Sequence, residues 1–360
     1  MVAAAPTWPD VRFADLLGSR HPIVQAPMAG AGGVALAVAA IQSGAVGSLP
    51  CAMLTAEEVI EQAADVRAQV PGPLNLNFFC HEMPENTDDA AWRALLRPFY
   101  DDYEIEDADA PGPVRRPFDA AMASAVEQAR PDIVSFHFGL PAPALLERVR
   151  RTGARIFANA TTVAEARWLA AHDVDAIIAQ GFEAGGHAGR FLGAPPEEQM
   201  GLFALLPQIV DSCRLPVIAA GGIADGRGIA AALTLGAAAV QMGTAFLHCP
   251  ESLIGPAHRA ALLGEAAERT AFTNLFSGGL ARGLPTRLND ALGRVRSEAP
   301  PFPLASAALV PLARAAAARG ESGFMPMWAG QAARLASPKP ARDLVETLAR
   351  QALAILSPKA

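Results

Sequence analysis

The chain has 360 residues, 51% of them apolar and 18% charged, with a formal net charge of -7 at pH 7. Such a length allows two average domains or one α/β barrel, and the apolar half can fill a large core. The acidic balance without a Lys/Arg cluster argues against nucleic acid as a partner and offers no basic patch to an anionic membrane. Cys51, Cys80, Cys213 and Cys249 lie far apart with no metal-ligand spacing, so neither a disulfide framework nor a metal site is expected. Residues 1–10 lack the basic start and apolar run of a signal peptide. The most apolar segment, 229–240, is Ala-rich and too short to span a bilayer. A soluble, cytoplasmic protein is expected.

Taken in order, residues 22–26 (Pro-Ile-Val-Gln-Ala) read as a first strand, followed by Pro27-Met28-Ala29-Gly30. A helix over 34–43 stops at Gly44, a suitable residue just past a helix end. Residues 45–48 form a second strand. Thr55 with Glu58 three positions on makes a capping box for a helix running to about 68. Residues 73–78, with Asn77 near the end, give a third strand. The rhythm breaks over 80–117, which is polar, acidic at 101–107 and proline-bearing. This reads as an excursion across one end of the fold, with a helix near 90–97 and a solvated charge run.

Regularity then returns. Helices over 118–129, 143–151, 162–171, 200–212 and 226–235 alternate with strands over 132–136, 155–158, 175–179, 216–219 and 238–241. Eight short apolar strands alternating with helices predict a parallel sheet closed as a TIM (β/α)8 barrel. An open doubly wound sheet would need a dinucleotide fingerprint after its first strand, and 25–33 lacks G-x-G-x-x-G. Barrel strands therefore occupy 1–245, with the 80–117 excursion inside them. A smaller, mostly helical lobe over 246–324 follows the eighth strand, with helices at 256–263 and 306–319. A return segment with a closing helix over 341–356 occupies 325–360.

The chemistry gathers at the C-terminal ends of the strands. The sixth strand opens into Gln180-Gly181-Phe182-Glu183-Ala184-Gly185-Gly186-His187-Ala188-Gly189. Glycines let backbone approach a ligand closely, and a histidine there can exchange a proton near neutral pH. On its own this fits a surface loop equally well. Gly221-Gly222 after the seventh strand and Gln241-Met242-Gly243-Thr244 after the eighth occupy the two loops that often bind phosphate in such barrels. Asp225 is expected to cap the next helix. Ala26-Pro27-Met28, Asn77 and Ser135-Phe136-His137-Phe138-Gly139-Leu140-Pro141 line the same mouth. Amide side chains such as Asn77 and Gln180 can bond both edges of a heteroaromatic ring. A phosphate clamp, amides and an apolar wall together suggest flavin mononucleotide (FMN).

With these motifs in view, the sequence resembles the class I nitronate monooxygenases, formerly called 2-nitropropane dioxygenases. The likeness runs through the barrel to the 328–331 return. It implies a TIM barrel with FMN and oxidation of alkyl nitronates, such as propionate 3-nitronate, by O2 to a carbonyl compound and nitrite. FMN would contact Ala26, Pro27, Met28, Asn77, Gln180, Gly185, Gly186, Gly221, Gly222, Gln241, Met242, Gly243 and Thr244. His187 matches the family's catalytic histidine, as base or substrate-orienting group. His137, Ser277, Arg282 and Trp328 are candidates for substrate contact or a lid. The segment Ser277-Gly278-Gly279-Leu280-Ala281-Arg282-Gly283 departs from the Ser-Gly-Arg-Pro-Ala-Arg-Gly often found in relatives, which bears on substrate selection. The resemblance leaves monomer or homodimer open. On the same scaffold an NAD(P)H:quinone reductase or an enoyl-thioester reductase is the alternative. A non-catalytic flavin or sugar-phosphate binder is a third reading. A dehydrogenase of the inosine-monophosphate kind would need a catalytic loop cysteine, and Cys80, the nearest, lacks that setting.

Overall fold

The computed structural model describes residues 7–106 and 115–357. The ends of the chain and part of the 80–117 excursion, including the last residue of its acidic run, lie outside the described residues. All eight expected barrel strands form, and a two-residue strand sits between the sixth and seventh of them. In chain order they are β1 (Ile23–Gln25), β2 (Gly47–Pro50), β3 (Leu74–Phe79), β4 (Ile133–His137), β5 (Arg155–Ala160), β6 (Ala176–Gln180), β7 (Gly186–His187), β8 (Val217–Ala220) and β9 (Ala239–Met242). The short β7 stands apart; the other eight pair in parallel in the order β1-β9-β8-β6-β5-β4-β3-β2.

The ring closes between β1 and β2 through one residue and one side chain. Val46 donates its N–H to Ile23 O and accepts from Gln25 N, both at 2.9 Å. The Gln25 amide then extends the seam, its Oε1 accepting from Ser48 N at 2.8 Å. A side chain thus takes the place of a ladder carbonyl where β1 is too short to supply one.

Each strand is buried on both faces, as parallel strands covered by helices must be. Leu76, Phe78, Val134, Phe136, Ile177 and Val240 point out against the surrounding helices. Alternate residues point inward in two layers. The lower is apolar (Val24, Val46, Ile133, Phe157, Ile178, Ile218) and is plugged by Phe13 of a short helix, Arg12–Leu17, that the sequence reading missed. The upper layer is polar: Asn75 Nδ2 donates to Ser48 Oγ at 3.0 Å, Asn77 Nδ2 to Ser135 Oγ at 2.9 Å, and Asn159 Nδ2 to Gln180 Oε1 at 3.1 Å. The polar end of the barrel is the end that carries the glycine loops.

Local signals behave as expected at several helix ends. Thr55 and Glu58 form a reciprocal capping box, Gly44 takes a left-handed φ of 86°, and Asp225 caps Gly226–Thr234 through Arg227 N and Gly228 N. The closing helix, Ala341–Leu356, packs against Gly226–Thr234 and Val34–Gln42. It fills the ring position that the helix after the eighth barrel strand would take, so the 246–324 lobe interrupts the last β/α unit.

That lobe is less purely helical than expected. Beside the helices Pro256–Leu263, Arg287–Leu292 and Ser306–Ala318 it holds two strands, β10 (Ala271–Thr273) and β11 (Ala281–Gly283). These form an antiparallel sheet with β7 in the order β10-β11-β7. The excursion joins the lobe as well. Its helix runs Ala90–Asp102, longer than expected because Pro98 is tolerated within it. Trp92, Leu96, Tyr100 and Tyr103 share one face and enter a second hydrophobic core with Leu275, Phe276, Leu288, Leu309, Leu312 and Phe324. The buried ring heads are satisfied: Trp92 Nε1 donates to Ala305 O at 3.2 Å and Tyr100 Oη to Ala308 O at 2.7 Å. Among the described residues no helix is long and apolar enough to cross a membrane.

Candidate active site

His187 lies on β7, where the loop after β6 pairs with the lobe. Ala281 sits opposite His187 and Arg282 opposite Gly186. Successive residues of a strand point to opposite faces, so Arg282 projects away from the His187 ring. The loop is held at further points. Gln180 Nε2 donates to His187 O at 2.9 Å while its Oε1 accepts from Gly189 N at 2.9 Å. His137 Nε2 also approaches His187 O, at 3.2 Å. Beyond Gly189, the fully buried Glu165 carboxylate accepts from Phe191 N and Thr161 N at 2.8 and 2.7 Å, tethering the loop's far end. Sequence reasoning passed over Glu165 because an acid in the first turn of a helix is commonplace.

The His187 ring is buried in an aromatic chamber. Phe302 lies 5.0 Å away between ring centroids, Trp328 5.6 Å, and Phe79 and Phe138 each 6.2 Å. Burial, and secondarily the positive charge of Arg115, holds the His187 pKa well below the usual 6.5. Its imidazole is therefore neutral at physiological pH, with a lone pair free to take a proton. Nε2 lies 2.8 Å from Ser277 Oγ, and that hydroxyl also reaches Gly279 O at 3.3 Å. The hydroxyl has one proton. Given to Gly279 O, it leaves Oγ to accept from Nε2–H, and the ring lone pair then falls on Nδ1.

The glycine loops meet on the other side of the mouth. Ala26 N donates to Met242 O at 2.9 Å, and Gly181 N to Ala220 O at 2.9 Å, so the ends of β1, β9, β8 and β6 adjoin. Gly221 and Gly222 both take left-handed φ, 109° and 69°. Gly243 backs onto Met28 and Ala26, with the Met28 sulfur 3.6 Å from where a Cβ would stand. Gly185 runs so close to Ala329 and Gly330 that a Cβ would meet Gly330 N at 2.5 Å. Thr244 Oγ1 accepts from that same Gly330 N at 2.8 Å. The Glu183 carboxylate beside these loops is committed to Leu202 N at 2.9 Å.

Of the expected residues, Ala26, Pro27, Met28, Gly185, Gly186, Gly221, Gly222, Met242, Gly243 and Thr244 come together at these strand ends. Gln241 ends at the same level on β9. Asn77 lies lower in the barrel, bonded to Ser135, and the Gln180 amide is spent on the His187 loop. Ser277 and Trp328 reach His187; His137 reaches its carbonyl. Arg282 is 2% exposed and sandwiched between the rings of Phe182 and Phe272, 4.6 and 4.3 Å from their centroids. It ties the lobe to the β6 loop and does not face the chamber. Burial pushes the Cys80 thiol up, which leaves it a poor nucleophile. Phe302 and Phe79 were missed; Phe302 carries no signal beyond its place between prolines.

Two results are expected from this packing. A Cβ at position 189 would stand 2.5 Å from His137 Cε1 and collide with Asn159 Nδ2. Gly189→Ala should therefore cost about 1–3 kcal/mol of overpacking, read as a lower melting temperature with weaker turnover; an unchanged melting point would contradict it. The second concerns pH. Burial holds His21, His137 and His258 at about 4 against a usual 6.5. Below pH 6.5 the unfolded chain takes up protons that the native chain refuses, so stability present above 6.5 is lost as pH falls toward 4. Thermal melts should show the midpoint dropping through that window.

Comparison with known proteins agrees across almost the whole chain. The family model described as nitronate monooxygenase matches residues 11–351. A nitronate monooxygenase of Paraburkholderia phytofirmans is 44% identical over 342 residues, 93% of each chain. One of Pseudomonas aeruginosa is 42% identical over 346 residues, 94% of this chain and 98% of that one. Among solved structures, the nitroalkane oxidase from Streptomyces ansochromogenes superposes with a TM-score of 0.86 at 37% identity, covering 95% of this chain and 98% of that one. FabK from Thermotoga maritima gives 0.75 at 26% identity, covering 97% and 98%.

Proposed function

The chain belongs to the nitronate monooxygenase family, a family of oxidoreductases, and on that footing we propose that it binds FMN and oxidises alkyl nitronates, such as propionate 3-nitronate, with O2 to a carbonyl compound and nitrite. The observation that carries this reading is the neutral His187 ring, enclosed by Phe79, Phe138, Phe302 and Trp328 beside the glycine loops.

The residues present fit a phosphate-bearing flavin. Gly221 and Gly222 leave bare backbone at left-handed φ, where side chains would be strained. A Cβ on Gly221 would lie 3.0 Å from Ala184 N. Gly243 and Thr244 stand alongside, and the neighbouring Glu183 carboxylate is tied to a backbone amide rather than left to repel an anion. Gly185, Gly186, Gly221, Gly222, Gln241, Met242, Gly243 and Thr244 would hold the nucleotide end; Ala26, Pro27, Met28, Asn77 and Gln180 would border the ring system. When bound, the flavin supplies the electron transfer.

The chain's own contribution is position and proton handling. With Ser277 accepting from Nε2–H, His187 takes the acidic α-proton of a nitroalkane at Nδ1, a transfer that a buried neutral imidazole performs at physiological pH. Facing a ready-made nitronate, the same ring orients the anion. The aromatic wall excludes water, and His137 and Gln180 keep the His187 backbone fixed while the ring changes charge. The proposed setting is cytoplasmic, with a small-molecule substrate and no nucleic acid or membrane.

The test is to purify the protein, identify the released flavin, and follow O2 uptake and nitrite with propionate 3-nitronate and an alkyl nitronate. NADH is added separately without air. Nitronate turnover with nitrite, and a flavin slow to take hydride, supports the proposal. Immediate bleaching by NADH with nitronates ignored would hand the function to the reductase reading, which the 0.75 TM-score to FabK keeps in view.

A further inference from the structure

The 80–117 excursion leaves the barrel after Phe79 and rejoins it at Phe118, whose N–H donates to Phe79 O at 2.7 Å. Just inside that junction its two legs are stapled together: the His81 imidazole bonds through Nε2 to Arg115 O at 3.2 Å. The His81 ring lies 4.7 Å from Phe302, and Phe302 lies 5.0 Å from His187. One aromatic ring therefore separates this staple from the candidate base.

Two polar atoms here have no partner. Arg115 Nε is buried without an acceptor, and so is His81 Nδ1. Among the described residues no carboxylate or carbonyl meets the Arg115 guanidinium. Its charge is felt at both His81 and His187, where it opposes protonation. Arg115 is half-buried as a residue, but its Nε is withdrawn from water with no acceptor, a desolvation left uncompensated. Arg282, which is more deeply buried, has carbonyls and two rings around it.

Resting on the nitronate reading of the chamber, we propose that Arg115 is an anion anchor that selects nitronates bearing a second negative group, a carboxylate, at the end remote from the reacting carbon. A guanidinium presents paired donors that match the two oxygens of a carboxylate. Phe302 packs on both His81 and His187, with Phe138 and Phe79 beside it, so the stem of such a substrate would run along aromatic rings. Substrate charge then supplies what the protein leaves out, and a neutral-tailed nitronate has nothing to give Arg115 in return.

The experiment compares holoenzyme with Arg115→Met and Arg115→Lys on propionate 3-nitronate and on the nitronate of 1-nitropropane, which has the same carbon count and no carboxylate. The ratio of kcat/KM between the two should fall at least about tenfold in Arg115→Met, the size of one charge-assisted hydrogen bond. The loss should sit in KM and be partly restored in Arg115→Lys. Thermal stability of Arg115→Met should not fall, since the change removes a buried Nε that has no acceptor. An unchanged ratio, or equal losses on both substrates, overturns the anchor. If wild-type enzyme turns over neither nitronate, the nitronate reading is what has failed. Calorimetry with propionate then judges Arg115 alone: binding to wild type and none to Arg115→Met upholds the anchor, and equal binding removes it.

Discussion

His187→Asn is expected to lower turnover of neutral nitroalkanes by roughly 100-fold or more, the range in which a positioned base contributes, while nitronates lose distinctly less. The argument rests on what each substrate asks of the ring. A nitroalkane must surrender a proton before it can be oxidised, and the carboxamide of Asn cannot accept it. A nitronate arrives without that proton and needs only to be oriented, which an amide does in part. The wild-type pH profile carries a matching expectation. Because burial keeps the His187 pKa well below 6.5, the ring stays a competent base through neutrality, and no His187-borne loss of rate should appear between about pH 6.5 and 8. Equal losses on both substrates would reduce His187 to a binding group; an unaffected variant would remove it from the chemistry.

Arg282→Met should open the site from behind. The arginine Nε donates to Phe182 O at 3.1 Å and a terminal nitrogen to Thr270 O at 3.1 Å, and its head lies between Phe182 and Phe272. Methionine keeps much of the stem but leaves both carbonyls unpaired, at about 1–3 kcal/mol for each buried orphan, and removes both ring contacts. Some of that is returned, because a buried guanidinium with one unpaired nitrogen is itself costly. A net loss of about 2–4 kcal/mol should remain, concentrated where β11 meets β7. Since His187 is on β7, lobe loosening and site disassembly should coincide: faster proteolysis within the lobe, together with loss of turnover. Proteolysis and turnover both at wild-type levels would show that the sandwich is ornamental.

The barrel was legible because buried parallel strands are continuous apolar runs. Residues 155–158 and 216–219 needed no partner to be recognised, and Gly44, Thr55 and Asp225 acted through their immediate neighbours. What escaped was non-local. β7 has two residues and exists only because β11 pairs with it. Arg282 read as a lid residue because sequence gives no hint of which face of a strand it will take. Pro98 and the acids after it suggested an early helix end, whereas the stripe from Trp92 to Tyr103 continues because a distant core receives it. Arg115 and Phe302 are unremarkable in sequence, and only closure of the excursion onto the lobe sets them beside His187. Gln180 kept its place at the end of β6, and its further bonds to the His187 loop, made to His187 O and Gly189 N, had no local signal.

The ring of helices is completed by a segment that the ribosome makes only after the lobe. Ala341–Leu356 seals the gap between the first and eighth strands only after the whole lobe has been made, and Gln351 then packs where Gly226 has no side chain. A nascent barrel therefore waits, with Val34–Gln42 and Gly226–Thr234 uncovered, while the whole lobe between them and Ala341–Leu356 is synthesised. Substitutions on the buried face of Ala341–Leu356 therefore lengthen the exposure of those two faces as well as loosening the finished ring.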